Sequence, residues 1–122
     1  MQKVLFDSSF LMAVVETPTT WYEDIVGAIG KFQPVLLECV KEELEKLASG
    51  HGSRARTANL SLEMASEFQF DPCGSARVDD EIVSAAVTGG AVVATADSEL
   101  ARSVRAAHQK VISLRKGRVA FG

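Results

Sequence analysis

The sequence predicts one α/β domain over residues 1–122, in three layers, with a central five-stranded, mostly parallel sheet flanked by helices. Two observations predict it. Short apolar runs alternate with helix-period segments along the whole chain, the pattern of a parallel sheet with crossover helices. Those runs are continuous rather than alternating, as in strands covered on both faces. The bulk numbers agree: 122 residues, 47% hydrophobic and 24% charged, make an ordinary soluble domain that buries a core without needing staples.

The first strand is read at Lys3–Asp7, bounded by Ser8-Ser9, and a short helix follows over Phe10–Val15. Thr17-Pro18 has the look of an N-cap with proline at the first helical position, opening a helix to about Ile29 with Trp21, Ile25, Ala28 and Ile29 on one stripe. Val35–Leu37 is a second strand. Glu38–Ala48 is helical, because Val40, Leu44 and Leu47 fall at i, i+4 and i+7. After the loop Ser49–Ser53, a helix over Ala55–Phe68 is expected to face inward through Leu60, Met64 and Phe68. A short strand at Phe68–Phe70 stops at Asp71-Pro72. A helix over Asp79–Thr88 stops at Gly89-Gly90. Ala91–Thr95 is strand, Ser98–Ala107 helix and Lys110–Leu114 strand, and Arg115–Phe121 extends it as an edge hairpin around Gly117.

Composition narrows the function classes. No apolar run approaches the roughly 20 residues that span a bilayer, and the chain enters a strand directly, so no membrane partner and a cytoplasmic location are expected. Cys39 and Cys73 are isolated, which suggests neither a zinc site nor a redox motif, and Cys39 is expected to be a small core residue. His51 and His108 lack partners at ligand spacing and are expected at the surface. Ser8 and Ser9 lack the nucleophile elbow of serine hydrolases, and Gly89-Gly90 matches no phosphate-binding loop.

The acids are the informative residues. Asp7 and Asp97 end apolar runs, Val4–Asp7 and Val92–Asp97. Carboxyl ends of strands in such sheets line the ligand crevice at the switch in strand order. Asp79 opens a helix, where the dipole favours its ionised form. Glu43 reaches in from the helix after the second strand. Glu42 points about 100° away from it, and Glu43, beside Leu44 and one turn after Cys39, is the better placed. Each acid alone has an innocent alternative: helix cap for Asp7 and Asp97, dipole partner for Asp79, solvated surface for Glu43. Together they would repel one another and resist desolvation unless a cation neutralised them. Oxygen-only ligands suit Mg²⁺ or Mn²⁺ rather than Zn²⁺, which makes metal-assisted phosphodiester hydrolysis the leading reading. Asp80, Glu99 and Ser9 are supporting candidates. A receiver-like phosphoacceptor also gathers acids beside a sheet, but the acidic doublet here opens a helix deep in the chain.

The net charge is −3, yet residues 101–122 carry six Lys/Arg and no acid. Arg102, Arg105, Arg115 and Lys116 are the candidate contacts to a phosphate backbone. Trp21-Tyr22 could stack a base, although core packing is the stronger expectation for Trp21.

These residues resemble the PIN-domain ribonucleases over essentially the whole chain. The resemblance rests on Val4-Leu5-Phe6-Asp7-Ser8-Ser9, Val40-Lys41-Glu42-Glu43-Leu44, Asp79-Asp80-Glu81-Ile82-Val83-Ser84-Ala85-Ala86 and Val92-Val93-Ala94-Thr95-Ala96-Asp97, in that order. Leu37 stands where many members have proline. The doublet leaves Asp79 and Asp80 both open as the third acid, and register to Ile82-Val83 favours Asp79. The resemblance implies a metal-dependent endoribonuclease with Asp7, Glu43, Asp79 and Asp97 as catalytic metal ligands, Mg²⁺ or Mn²⁺ as cofactor, and Ser9, Thr95 and Glu99 in support. In-line attack would leave a 5′-phosphate and a 3′-hydroxyl. The ending resembles archaeal single-domain members related to nucleases that process small-subunit rRNA precursors, which makes RNA, single-stranded or a structured rRNA precursor, the expected partner. VapC-type toxins share the four acids, so an antitoxin partner, a homodimer, and a catalytically weak RNA-binding scaffold are the alternatives.

Overall fold

A computed structural model describes all of residues 1–122. The elements are β1 (Gln2–Phe6), α1 (Ser8–Glu16), α2 (Trp21–Ile29), β2 (Phe32–Leu37), α3 (Glu38–Ala48), α4 (Ser53–Met64), β3 (Gln69–Asp71), α5 (Val78–Gly89), β4 (Val92–Ala94), α6 (Ser98–Ala106), β5 (Val111–Arg115) and β6 (Arg118–Phe121). They form one sheet of six strands, not five, in the order β3-β2-β1-β4-β5-β6. All pairings are parallel except β5 with β6. The added strand is the hairpin expected around Gly117. Lys116 and Gly117 both have positive φ (51° and 76°), as a two-residue turn between antiparallel strands requires.

The parallel strands are the apolar runs because they are covered on both sides. Val4, Val35, Leu36, Val93, Ala94 and Ile112 are all fully buried. Right-handed crossovers put α1–α4 on one face of the sheet and α5–α6 on the other. α1, α3 and α4 accordingly pack together, as do α5 and α6. An aromatic cluster fills the first layer: Phe6 lies 5.5 Å from both Phe10 and Trp21 and 5.1 Å from Phe68. Trp21 is thus held edge-on in the core, and only its neighbour Tyr22 is substantially exposed. Core packing, the stronger expectation for Trp21, is what the partly buried ring shows.

Three local expectations are corrected. Thr17 is the C-cap of α1, its N–H donating to Ala13 O, and α2 begins only at Trp21 after Thr20. α4 turns its small residues, Ala55, Ala58 and Ser61, inward against α3, and Leu60 is exposed. Small side chains let the two helices approach closely; of the expected stripe only Leu60 is exposed, while Met64, the last residue of α4, and Phe68 beyond it pack against the core. Cys39 and Cys73, expected to be unconnected, form a disulfide. The cause is register: Leu37 pairs with Asp71 across β2 and β3, and two residues further along each chain come the two cysteines. Their bond ties the start of α3 to the loop that leads into α5.

Candidate active site

The strand order reverses at β1, whose neighbours β2 and β4 leave in opposite directions along the chain. Phe6 pairs with Ala94, and the Asp7 N–H donates to Ala94 O at 2.9 Å. Asp7 and Thr95 therefore emerge side by side at the carboxyl ends of β1 and β4, the crevice where doubly wound sheets bind ligands.

Asp7 occupies the N-cap position of α1, but its side chain makes no capping bond. It turns instead to two hydroxyls. Ser9 Oγ donates to Asp7 Oδ2 at 2.5 Å and Thr95 Oγ1 donates to the same oxygen at 3.0 Å. A hydroxyl has one proton and two acceptor sites, and each hydroxyl also accepts: Ser9 Oγ takes the Ala96 N–H and Thr95 Oγ1 takes the Asp97 N–H, each at 3.0 Å. The network fixes Asp7 against the strand that delivers Asp97. Asp7 is only 5% exposed. Burial pushes its carboxyl above the ordinary aspartate value, against the two hydroxyl bonds, and the Glu43 charge adds to the rise.

Asp97 is the N-cap of α6 in the full sense: its Oδ1 accepts from Glu99 N at 2.8 Å and Leu100 N at 3.3 Å. Asp97 thus caps its helix through one oxygen, and Asp7 does not cap its own. Glu43, exposed on α3, accepts a 2.7 Å bond from Ser8 Oγ. Asp79 sits in the first turn of α5. Its carboxyl is raised by desolvation first, then by the charges of Asp7, Asp97 and Glu43, with the neighbouring Arg77 pulling the other way. Asp79 thus experiences the other three acids together. Asp80 and Glu99 are exposed, and their carboxylates make no hydrogen bond.

The structure brings these acids into one neighbourhood without closing them into a cage. No three acidic, histidine or cysteine side chains stand together at ligating distance. The donor set nevertheless fits a hard divalent cation: it is all oxygen, it is anionic in excess, and its innermost member takes both hydroxyl bonds on the same oxygen.

Beside Asp97 a small groove of about 150 Å³ runs between α6 and β5, with Ser98, Arg105, Ser113 and Arg115 in its walls. Arg105 also donates through Nε to Gly122 O at 3.0 Å. Arg102 and Lys116, grouped with these two arginines in the sequence, are not part of that groove. A second groove, of about 340 Å³, borders Ser8 and Glu43 and carries Lys46 and Arg54. Sequence reasoning misses Arg77, Lys46 and Arg54. The only signal for Arg77 is its place two residues ahead of the acidic doublet. The largest groove, about 690 Å³ between α2 and β6, contains none of the predicted site residues. His51 and His108 are at the surface, as expected. No helix is long and apolar enough to cross a membrane.

Known proteins resemble this fold. The solved structure of the PIN domain endonuclease Utp24 is similar over 98% of this chain and 90% of its own, with a TM-score of 0.81 and 25% identity. A domain of a functionally unknown protein from Methanocaldococcus jannaschii is similar over 97% and 94% (TM-score 0.70, 18% identity). PAE2754 from Pyrobaculum aerophilum is similar over 85% and 81% (TM-score 0.57, 20% identity). The last two share the fold. No curated protein sequence matches the chain. The family model described as "PIN like domain" matches residues 4–117, nearly the whole chain, and the protein belongs to that family.

Proposed function

We propose that the protein is a divalent-metal-dependent endoribonuclease, acting in the processing of rRNA or another RNA. One observation carries the reading. A buried carboxylate, Asp7, is held by two hydroxyls at the switch point of the sheet, and a second, Asp79, is raised first by desolvation and then by the charges of the other three acids. Acids gathered this way are costly without a counter-charge. Membership in the PIN-like family and likeness to a PIN domain endonuclease support a nuclease that cuts within a chain.

Asp7, Asp79, Asp97 and Glu43 would hold Mg²⁺ or Mn²⁺. Bound there, the ion would lower the pKa of a water and stabilise charge building on the scissile phosphate. The protein's own groups do the rest. Ser9 and Thr95 orient Asp7 by bonding one of its oxygens. The α6 N–H groups hold Asp97 through one oxygen in the same manner. Ser8 holds Glu43 through its hydroxyl. Arg105 and Arg115 flank Asp97 and would take backbone phosphate oxygens. Water attacks phosphorus in line, the bond from phosphorus to the 3′ oxygen breaks, and that oxygen leaves with a proton. The products are a 5′-phosphate and a 3′-hydroxyl.

The test is incubation of a labelled RNA with the protein in Mn²⁺, Mg²⁺ or EDTA, beside Asp7→Asn. Cleavage in either metal, absent in EDTA and in the variant, is the expected result. Cleavage that persists unchanged in EDTA would refute the reading.

A further inference from the structure

The acidic centre has basic residues on both sides, and only one side is legible in the sequence. On the β4 and β5 side lie Arg105 and Arg115, beside Asp97. On the α3 and α4 side, the groove that contains Ser8 and Glu43 also contains Lys46 and Arg54. Ser8 and Glu43 are bonded to each other, so this groove opens directly from the acidic neighbourhood. Lys46 and Arg54 are both exposed. Neither has a carboxylate within ion-pair distance, although Lys46 is one turn from both Glu42 and Glu43. The only ion pair in the chain is Lys3 with Asp71, at 4.0 Å. Two cations that leave nearby carboxylates unpaired, in a groove continuous with an anionic centre, form a ready receptor for an external anion.

We infer that Lys46 and Arg54 form a second phosphate-binding subsite, so that a single RNA strand crosses the acids with its backbone held on both sides of the cut. This rests on the nuclease reading of the acids and deepens it. The substrate class follows from the shape. Basic groups on opposite flanks of one acidic centre favour a strand running through the site over a chain end seated at it. Unpaired RNA meets that geometry, because an open groove that tracks a flexible backbone does not need a duplex of fixed width. Lys46 supplies a point charge and Arg54 a planar fork, and both bind phosphate.

The experiment measures equilibrium binding of a fluorescent, unstructured RNA across a salt series, using Asp7→Asn protein so that the probe stays intact. The variants are Lys46→Ala with Arg54→Ala, Arg105→Ala with Arg115→Ala, and all four together. For single strands the salt slope changes by about 0.7 for each phosphate that is no longer neutralised. Each pair should therefore lower it by roughly 1.4, and the four together by the sum. Shortening the RNA from one end should abolish the effect of one pair, and shortening it from the other end the effect of the other pair. Melting temperatures should be unchanged, since all four side chains are exposed. If Arg105 and Arg115 lower the slope and Lys46 and Arg54 do not, the second subsite is refuted while the nuclease reading stands. If the unmutated basic flanks give no salt-dependent RNA binding at all, both fall.

Discussion

Asp7 accepts two hydroxyl hydrogen bonds on one oxygen while only 5% of its surface is exposed, so its protonation is the most sensitive property of the site. Its folded pKa lies above the ordinary 3.8. The folded protein therefore holds the proton to higher pH than the unfolded chain does. Stability from this group is present below 3.8 and is lost as pH rises through the folded value. Asp79 acts in the same direction, but solvent screens it. In EDTA, the melting temperature should fall more with rising pH across the carboxylate range for the wild type than for Asp7→Asn. Equal slopes would contradict the assignment. Ser9→Ala and Thr95→Ala should each reduce metal affinity or cleavage by about 10–100-fold, the usual cost of removing a group that orients a ligand. Asp7→Asn should cost more than either, as read from initial cleavage rates. Asp7, Glu43, Asp79 and Asp97 are legible in the sequence because strand ends and helix starts declare themselves locally. Lys46 and Arg54 are not, because only the packing of α4 on α3 brings Arg54 to Glu43.

Among the elements, α3 is legible to the residue: its apolar positions repeat at helical spacing and nothing interrupts them. The start of α2 is not, because Thr17-Pro18 carries the chemistry of a helix start in a place where the chain is still leaving α1. The inner face of α4 is hidden because it packs through alanine and serine, which hydrophobicity does not flag. The disulfide joins residues 34 apart in sequence and depends on strand register, which no local pattern reveals. It ties the helix that carries Glu43 to the loop that leads to Asp79. A loop of that length stabilises by about 3–4 kcal/mol in the chain-entropy picture. Cys73→Ser, compared with the oxidised wild type in denaturant unfolding, should lose about 2–4 kcal/mol. An unchanged midpoint would mean that the bond adds nothing to stability.

At the scale of the whole molecule, the fold class is legible because alternating strands and helices leave few topologies open. The sixth strand, a short and partly exposed edge, is harder to separate from a tail. The resulting sheet places an anionic centre at its switch point, with basic grooves to either side, in a chain of net charge −3. A cation that binds only the folded state stabilises it by about 2.7 kcal/mol at a hundred times its dissociation constant. Saturating Mn²⁺ should accordingly raise the melting temperature of the wild type and leave that of Asp7→Asn nearly unmoved. The most direct measurement of the centre is a calorimetric Mn²⁺ titration of the wild type beside Asp7→Asn, Glu43→Gln, Asp79→Asn and Asp97→Asn. Saturable binding by the wild type, weakened by at least about tenfold in each variant, is the predicted result. Binding that is absent in the wild type, or untouched by all four substitutions, would contradict it.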